Sequence, residues 1–237
     1  MKRSKPNIPP DLEFTEDLPA LMAWAREEEM DIENKHFKDL TLSGLDFSHL
    51  SFRGSVFENC EFTDCRFEKA DCRDLRFQSC NLSNNDFTDG YFNRCEFMSC
   101  KMVGVDFHQA QLENIRFSDS NFQYANFSKA KLKVLEISQC DFSHTTVSEC
   151  KLGQIQLDDV NFEAASFFKK PGKSCPGCGR QFTTERFRRA IEEAEKIIGN
   201  SEKKLLEPDF LSLFGGLLLG VILGSIPIVI PSLPVPI

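Results

Sequence analysis

Residues 87–107, FTDGYFNRCEFMSCKMVGVDF, return to a large apolar side chain at every fifth position. The same period holds from Phe37 to Phe167, over 27 successive positions of which only Cys72 is small. A fixed period is typical of a solenoid, in which each unit buries its apolar face by stacking on its neighbours. A period of five fits neither an amphipathic helix nor an alternating strand. It predicts a chain that turns a corner every five residues, so that roughly twenty residues close one square coil.

A second column of inward-facing positions lies two residues before each large side chain. These positions are mostly small or aliphatic, so both columns are expected to fill a narrow interior at close to native packing density. Eight of the ten cysteines fall in these two columns, where they act as compact apolar fillers. The predicted structural core includes Phe57, Phe77, Phe97, Phe117, Cys60, Cys80, Cys100 and Cys140, with Ser120 completing the cysteine column.

A period of twenty also organises the charged residues. Two outward columns alternate in sign from one coil to the next, which favours this register because opposite charges then face each other on neighbouring rungs. The columns are Arg76, Glu96, Arg116, Glu136 and Asp46, Arg66, Asp86.

The five-residue units resemble the pentapeptide repeat family, whose pattern is small, Asp or Asn, Leu or Phe, polar, polar. The units Ala70-Asp71-Cys72-Arg73-Asp74, Cys80-Asn81-Leu82-Ser83-Asn84 and Ala125-Asn126-Phe127-Ser128-Lys129 carry the resemblance. It implies an all-β solenoid over residues 35–168, a right-handed quadrilateral β-helix of roughly six to seven coils. Rungs should stack at the inter-strand spacing of about 4.8 Å.

Short segments flank the predicted β-helix. Residues 1–16 are expected to be disordered, and residues 17–34 to form a helix that caps the first coil or binds a partner. Residues 184–199 are predicted to form an amphipathic helix, which packs on the last coil or on a copy of itself.

Residues 169–183 form a basic linker that contains the pair Cys175 and Cys178. This spacing is that of a zinc knuckle, in which two thiolates chelate from one tight turn. A tetrahedral site needs two further ligands, which a dimer could supply across its interface. The alternatives are a redox motif, the relic of a lost zinc ribbon, or a plain turn with unligated thiols, and no other cofactor is expected.

Residues 209–237 form a hydrophobic tail with no charged residue in its last 28 positions. Residues 210–230 are long enough to cross the hydrocarbon core of a membrane as a helix. Small residues every four positions favour close helix packing in lipid and self-association. They are Ser212, Gly216, Gly220 and Gly224. The basic residues upstream fit the retained side of a membrane anchor. A hydrophobic dimerisation segment and a tail packed on the coil are the alternatives.

The sequence predicts a non-enzymatic scaffold that binds an unknown protein partner and is tethered to a membrane. No phosphate-binding loop, nucleophile motif or paired carboxylate stands out, and the net charge of −7 over residues 37–168 disfavours direct nucleic-acid binding. The N-terminus lacks a secretory signal and most cysteines occupy core positions, so a cytoplasmic repeat domain is expected. The protein is expected to be bacterial. The family resemblance implies one alternative, a DNA mimic that binds or protects gyrase. A further alternative is a secreted effector that inserts in a host membrane.

Overall fold

The computed structural model describes residues 3–166, which form a parallel β-helix of about seven coils preceded by one short helix. Each coil passes through four faces, numbered here in chain order from the face that contains Ile32. All strand pairing is parallel, and every partner lies twenty residues away within the coil. The predicted period and fold are therefore confirmed.

Faces 1 and 2 carry most of the regular strands. Face 1 contains β2 (Ile32–Glu33), β5 (Ser51–Arg53), β8 (Asp71–Arg73), β10 (Tyr91–Asn93) and β12 (Gln111–Glu113). Face 2 contains β1 (Glu13–Phe14), β3 (Lys35–Lys38), β6 (Val56–Glu58), β9 (Arg76–Gln78), β11 (Glu96–Met98) and β13 (Ile115–Ser118). The long strands β14 (Lys131–Asp141) and β15 (Lys151–Asn161) run through both faces.

Faces 3 and 4 are built mainly from tight turns joined by single β-bridges. Among residues 3–166, the regular strands confined to these faces are β4 (Thr41–Ser43) and β7 (Glu61–Thr63), both on face 3, which the last residues of β14 and β15 also reach. Isolated bridges continue the ladder, for example from Asp86 to Asp106 on face 4. The coils therefore stack in the same twenty-residue register on all four faces, although faces 3 and 4 are joined by fewer regular strand pairs than faces 1 and 2.

Rings stacked from coil to coil fill the interior. On face 2 the centroids of Phe57 and Phe77 lie 4.9 Å apart, and those of Phe77 and Phe97 also lie 4.9 Å apart. The thiol of Cys80 donates to the carbonyl oxygen of Phe57 at 3.4 Å, so the small column also satisfies backbone acceptors. Each of the eight core residues named from the sequence is buried.

The corners of the coil require left-handed backbone conformations. Among residues 3–166, twenty-three residues other than glycine have positive φ, and most recur every fifth position, as at Asn59, Asp64, Lys69 and Asp74. Each such residue is strained by about 1–2 kcal/mol, less for Asn and Asp. The continuous ladder of backbone hydrogen bonds between coils holds the corners in this conformation.

The capping helix is shorter than the predicted segment 17–34. Helix α1 spans Leu18–Glu27, and Asp17 caps its start by accepting a hydrogen bond from the backbone N–H of Ala20 at 3.0 Å. It stops because Glu29 takes a positive φ and the chain then enters β2. Leu18, Met22 and Ala25 form its buried face, whereas Trp24 stays 45% exposed.

Candidate interaction surface

Residues 3–14 lie along one edge of the β-helix, whereas the sequence predicted disorder over residues 1–16. We call residues 3–14 the N-terminal arm, and the edge between faces 1 and 2 on which it lies the arm edge. The arm edge is formed by Gly54, Asp74, Arg94 and Asn114 at the corner, and by Arg76, Glu96, Arg116 and Glu136 beside it. The arm runs from the later coils back towards the first.

Arg3 anchors the far end of the arm. Its Nη2 lies 2.9 Å from Oε1 of Glu96, and its Nε lies 3.0 Å from Oε2 of Glu136. The Arg3 side chain is only 2% exposed. Arg76 also contacts Glu96, with Nη2 3.2 Å from Oε2, so this buried carboxylate has two cationic partners. An ion pair removed from water to this extent is favourable only when its charges are matched by good geometry.

The rest of the arm is held largely through its backbone. The N–H of Ser4 donates to Oδ1 of Asn114 at 3.2 Å, and the N–H of Asn7 donates to Oδ1 of Asp74 at 2.8 Å. A methyl group at Gly54 would lie 3.4 Å from Cδ of Pro9 and 3.6 Å from the carbonyl oxygen of Asn7, so the arm passes close to this corner.

Strand β1 completes the arm. It pairs with β3, and Glu13 lies opposite Lys35, with which its side chain forms an ion pair. The ring of Phe14 is exposed, and its centroid lies 4.5 Å from that of the His36 ring. The sequence signal for order was weak because residues 3–12 contain no period-two or helical apolar pattern.

Asp74 supplies the carboxylate at this corner. Arg94 donates to it twice, from Nε to Oδ1 and from Nη2 to Oδ2, both at 2.6 Å. Burial alone would raise the pKa of Asp74, but the hydrogen bonds from Arg94 and from the N–H of Asn7 outweigh burial and lower it. The carboxylate is therefore held in its charged form, in which it binds the arm.

The alternating charge columns adopt the predicted register. In the β-ladder, Glu96 lies opposite Arg76 on one side and opposite Arg116 on the other. On face 4, Nη2 of Arg66 lies 3.0 Å from Oδ2 of Asp46. Sequence reasoning missed that Arg3 joins the first column. The sequence offers one indication of such a partner. A carboxylate in that column can form ion pairs with more cationic side chains than the arginines of the adjacent coils supply.

An aromatic pair is exposed at the corner between faces 3 and 4. Tyr124 is 61% exposed and stacks on His144, with ring centroids 4.8 Å apart and planes 6° from parallel. We call these two residues the aromatic ledge. Tyr91 is only partly exposed, because the guanidinium carbon of Arg73 lies 5.0 Å from its ring centroid.

Several predicted features lie outside the described residues: the basic linker with Cys175 and Cys178, the helix at 184–199 and the tail at 209–237 with its small-residue stripe. Across residues 3–166, no cluster of three or more His, Cys, Asp or Glu side chains is arranged as a metal site. In that same part of the chain, no helix is long and apolar enough to cross a bilayer.

Two curated relatives share short stretches with this chain. An uncharacterised transporter of Bacteroides fragilis strain YCH46 is 48% identical over 48 residues, which cover 20% of this chain and 8% of that protein. An uncharacterised transporter of Bacteroides thetaiotaomicron is 44% identical over 48 residues, covering 20% of this chain and 9% of that protein. The chain thus spans less than a tenth of the length of these bacterial relatives.

Two solved structures are similar in fold. QnrB1, described as a plasmid-mediated fluoroquinolone resistance protein, has a TM-score of 0.42 and 23% identity, over 56% of this chain and 83% of that one. HetL from the cyanobacterium Nostoc, a pentapeptide repeat protein involved in the regulation of heterocyst differentiation, has a TM-score of 0.41 and 17% identity. This match covers 61% of this chain and 65% of HetL.

Two family models match the β-helix itself. Residues 37–81 match a model of pentapeptide repeats in nine copies, and residues 90–167 match a pentapeptide repeat region. Together they cover just over half of the chain and most of the coils. The chain belongs to the pentapeptide repeat family.

Proposed function

We propose that this protein is a non-enzymatic scaffold whose rigid β-helix presents a binding surface to a protein partner. The observation that carries this proposal is the uninterrupted ladder of coils, which fixes the outward side chains at a constant rung spacing. Such a surface is pre-organised, so a partner can bind it with little loss of conformational entropy in the scaffold.

The aromatic ledge is the part of this surface best suited to a partner. Tyr124 and His144 expose rigid, amphipathic rings that need little side-chain ordering on binding. Their neighbours are polar; for example, Gln123 donates from Nε2 to Oδ2 of Asp141 at 2.7 Å. Aromatic rings within a polar rim are typical of protein interfaces.

Photocrosslinking in the bacterial cell tests the ledge. A photoreactive phenylalanine analogue at position 124 should give one discrete adduct with a partner, and His144→Ala should reduce the yield. The same analogue at Lys38, an exposed position on face 2, is the matched control. Equal adducts at both positions, or none at position 124, would count against the ledge as the binding surface.

We further propose that the C-terminal tail tethers the scaffold to a membrane. Its last 28 residues carry no charge, and residues 169–189 upstream contain seven basic side chains and one acidic one. The transporter names of the two Bacteroides relatives also support a membrane setting, because transport requires a membrane-embedded protein.

Membrane fractionation tests the tether. We expect only detergent to release the full-length chain, whereas a chain ending at Glu207 should be soluble without it. Leu218→Arg combined with Ile222→Arg keeps the tail length but should also release the protein, because each buried charge opposes insertion by about 2.5–3.5 kcal/mol. Release of the full-length chain by high salt or carbonate would contradict the proposal.

A further inference from the structure

The arm edge recognises features that any extended peptide with a suitable arginine could offer. Only Arg3 is deeply buried, whereas the side chains of Ser4, Lys5 and Asn7 are exposed. The arm's other contacts to the corner use backbone N–H groups, at Ser4 and Asn7. The edge therefore selects a guanidinium at one end and an extended backbone along its length, with little demand on the residues between.

The anchor site favours arginine over lysine. Arg3 reaches two different carboxylates at once, Glu96 through Nη2 and Glu136 through Nε. A planar guanidinium can aim separate donors in two fixed directions, whereas an ammonium is a single point charge. This geometry discriminates between the two cationic side chains.

The site is unfavourable when empty. The side chain of Glu96 is only 8% exposed, and without Arg3 it keeps one cationic partner among the described residues, Arg76. Glu136, which is 36% exposed, loses its contact to Arg3 altogether. Leaving a buried carboxylate with fewer partners is costly, so the vacated site should take up another guanidinium.

The arm is built to occupy the edge reversibly. Its prolines, Pro6, Pro9 and Pro10, restrict the free arm to extended conformations, which lowers the entropy lost on docking. Its regular structure is limited to the two-residue strand β1. Because the arm is covalently attached, its effective concentration at the edge is on the order of millimolar, which makes it a competitor of ligands in solution.

We propose that the arm edge is a binding groove for an extended, arginine-bearing peptide segment of a partner protein, and that the N-terminal arm occupies this groove in cis. A partner segment with the same features displaces the arm. The groove lies on the edge between faces 1 and 2 and is separate from the aromatic ledge, so each can be tested without the other.

Peptide binding to a chain lacking residues 2–14 tests the groove. The probe is an acetylated, fluorescently labelled peptide of residues 3–14, followed by fluorescence anisotropy at low salt. We expect saturable binding to the deletion variant and at least tenfold weaker binding to the full-length chain, whose own arm competes. A peptide with Arg3→Lys, and a deletion variant with Glu96→Gln and Glu136→Gln, should each bind at least tenfold more weakly.

The control for charge is Glu61→Gln in the deletion variant, since Glu61 lies on face 3 and its removal should leave binding unchanged. Circular dichroism establishes that each variant is folded. If the deletion variant does not fold, full-length Arg3→Ala takes its place, because its arm lacks the anchor. The proposal is overturned if the peptide does not bind a folded variant, or if binding is indifferent to Arg3 and to the two glutamates.

Discussion

Arg94 holds Asp74 by two parallel hydrogen bonds of 2.6 Å, one from Nε and one from Nη2, across adjacent rungs of the β-helix. The two residues are twenty positions apart, and both lie at the corner beneath the N-terminal arm. This arrangement is stronger than an ordinary surface ion pair because its geometry is two-pronged and Asp74 is only 14% exposed.

Arg94→Met should raise the pKa of Asp74 towards its unfolded value. The mutation removes the hydrogen bonds that counteract burial, so the charged carboxylate is less stable in the fold. We expect a loss of about 1.5–3 kcal/mol in the free energy of unfolding at neutral pH, the range for hydrogen bonds to charged groups. Carboxyl NMR titration and urea unfolding measure the two effects.

Arg66→Met is the matched control. Its partner Asp46 owes its lowered pKa first to hydrogen bonds from Ser48, and only to a lesser extent to the charge of Arg66. The pKa of Asp46 should therefore move little. An equal response of Asp46 and Asp74 would contradict the special role of the Arg94 pair.

Stability should fall in acid below about pH 4. The folded-state pKa of Asp74 is lowered, and so is that of Asp141, where hydrogen bonds from Ser143, Gln123 and Asn161 outweigh the effect of burial. A lowered pKa stabilises the fold above the unfolded value of about 3.9, and this contribution is lost as the pH falls through the folded value.

Urea unfolding measured from pH 7 to pH 2 checks this prediction. Asp141→Asn should reduce the size of the acid-induced loss, because it removes one of the titrating carboxylates. A stability that is flat, or that rises as the pH falls below 4, would be inconsistent with the lowered pKa values.

Phe97→Ala should be severely destabilising. The Phe97 ring is fully buried and lies 4.9 Å from that of Phe77, with planes 3° from parallel. Truncation leaves a cavity in a column that cannot collapse without shifting its rungs, so we expect a loss of about 3–5 kcal/mol. Phe14→Ala removes a ring that is 68% exposed and should change stability by no more than about 0.5 kcal/mol. Urea unfolding of both variants measures the two losses of unfolding free energy. Similar losses would contradict the argument that stacked rings in the core stabilise the coils.

The thiols of the coil should be chemically silent while the protein is folded. Eight free cysteines lie among residues 3–166, and seven of them are buried. Burial raises the pKa of Cys95 to about 12, so almost none of it is the reactive thiolate at pH 8. The hydrogen bond with Cys80 lowers the pKa of Cys100, but that residue is only 3% exposed, so a reagent cannot reach its thiol.

A variant with Cys175→Ser and Cys178→Ser isolates these eight thiols for an assay with an aromatic disulfide reagent. The folded variant should release less than one equivalent in the time that the urea-unfolded variant releases all eight. Rapid reaction of the folded variant would show that the coils open on the timescale of labelling.

The period in the sequence predicts the coil because packing and register depend on the same twenty-residue repeat. Phe57, Cys60 and Phe77 could be placed in the core from position alone, since every inward column repeats with the coil. The column from Arg76 to Glu136 could be assembled in the same way. Both columns join residues of adjacent coils, which are twenty positions apart, so they can be assigned without knowing where segments outside the repeat lie.

The arm could not be placed by such reasoning. Arg3 meets Glu96 and Glu136 across separations of 93 and 133 positions, and no repeat relates the arm to the coils. The true end of α1 was missed for a similar reason, since the positive φ of Glu29 depends on how the chain enters β2.

Repeat proteins evolve by gaining and losing whole units, and here the arm makes the number of coils a trait on which selection can act. An added coil before Arg76 would bring Arg3 opposite Arg76 and Arg116, because the column alternates in sign. Loss of a coil there would bring it opposite Arg116 and Gln156. In both cases the buried guanidinium would face another arginine, so a lineage that kept this arm would be hindered from changing its length by a single coil.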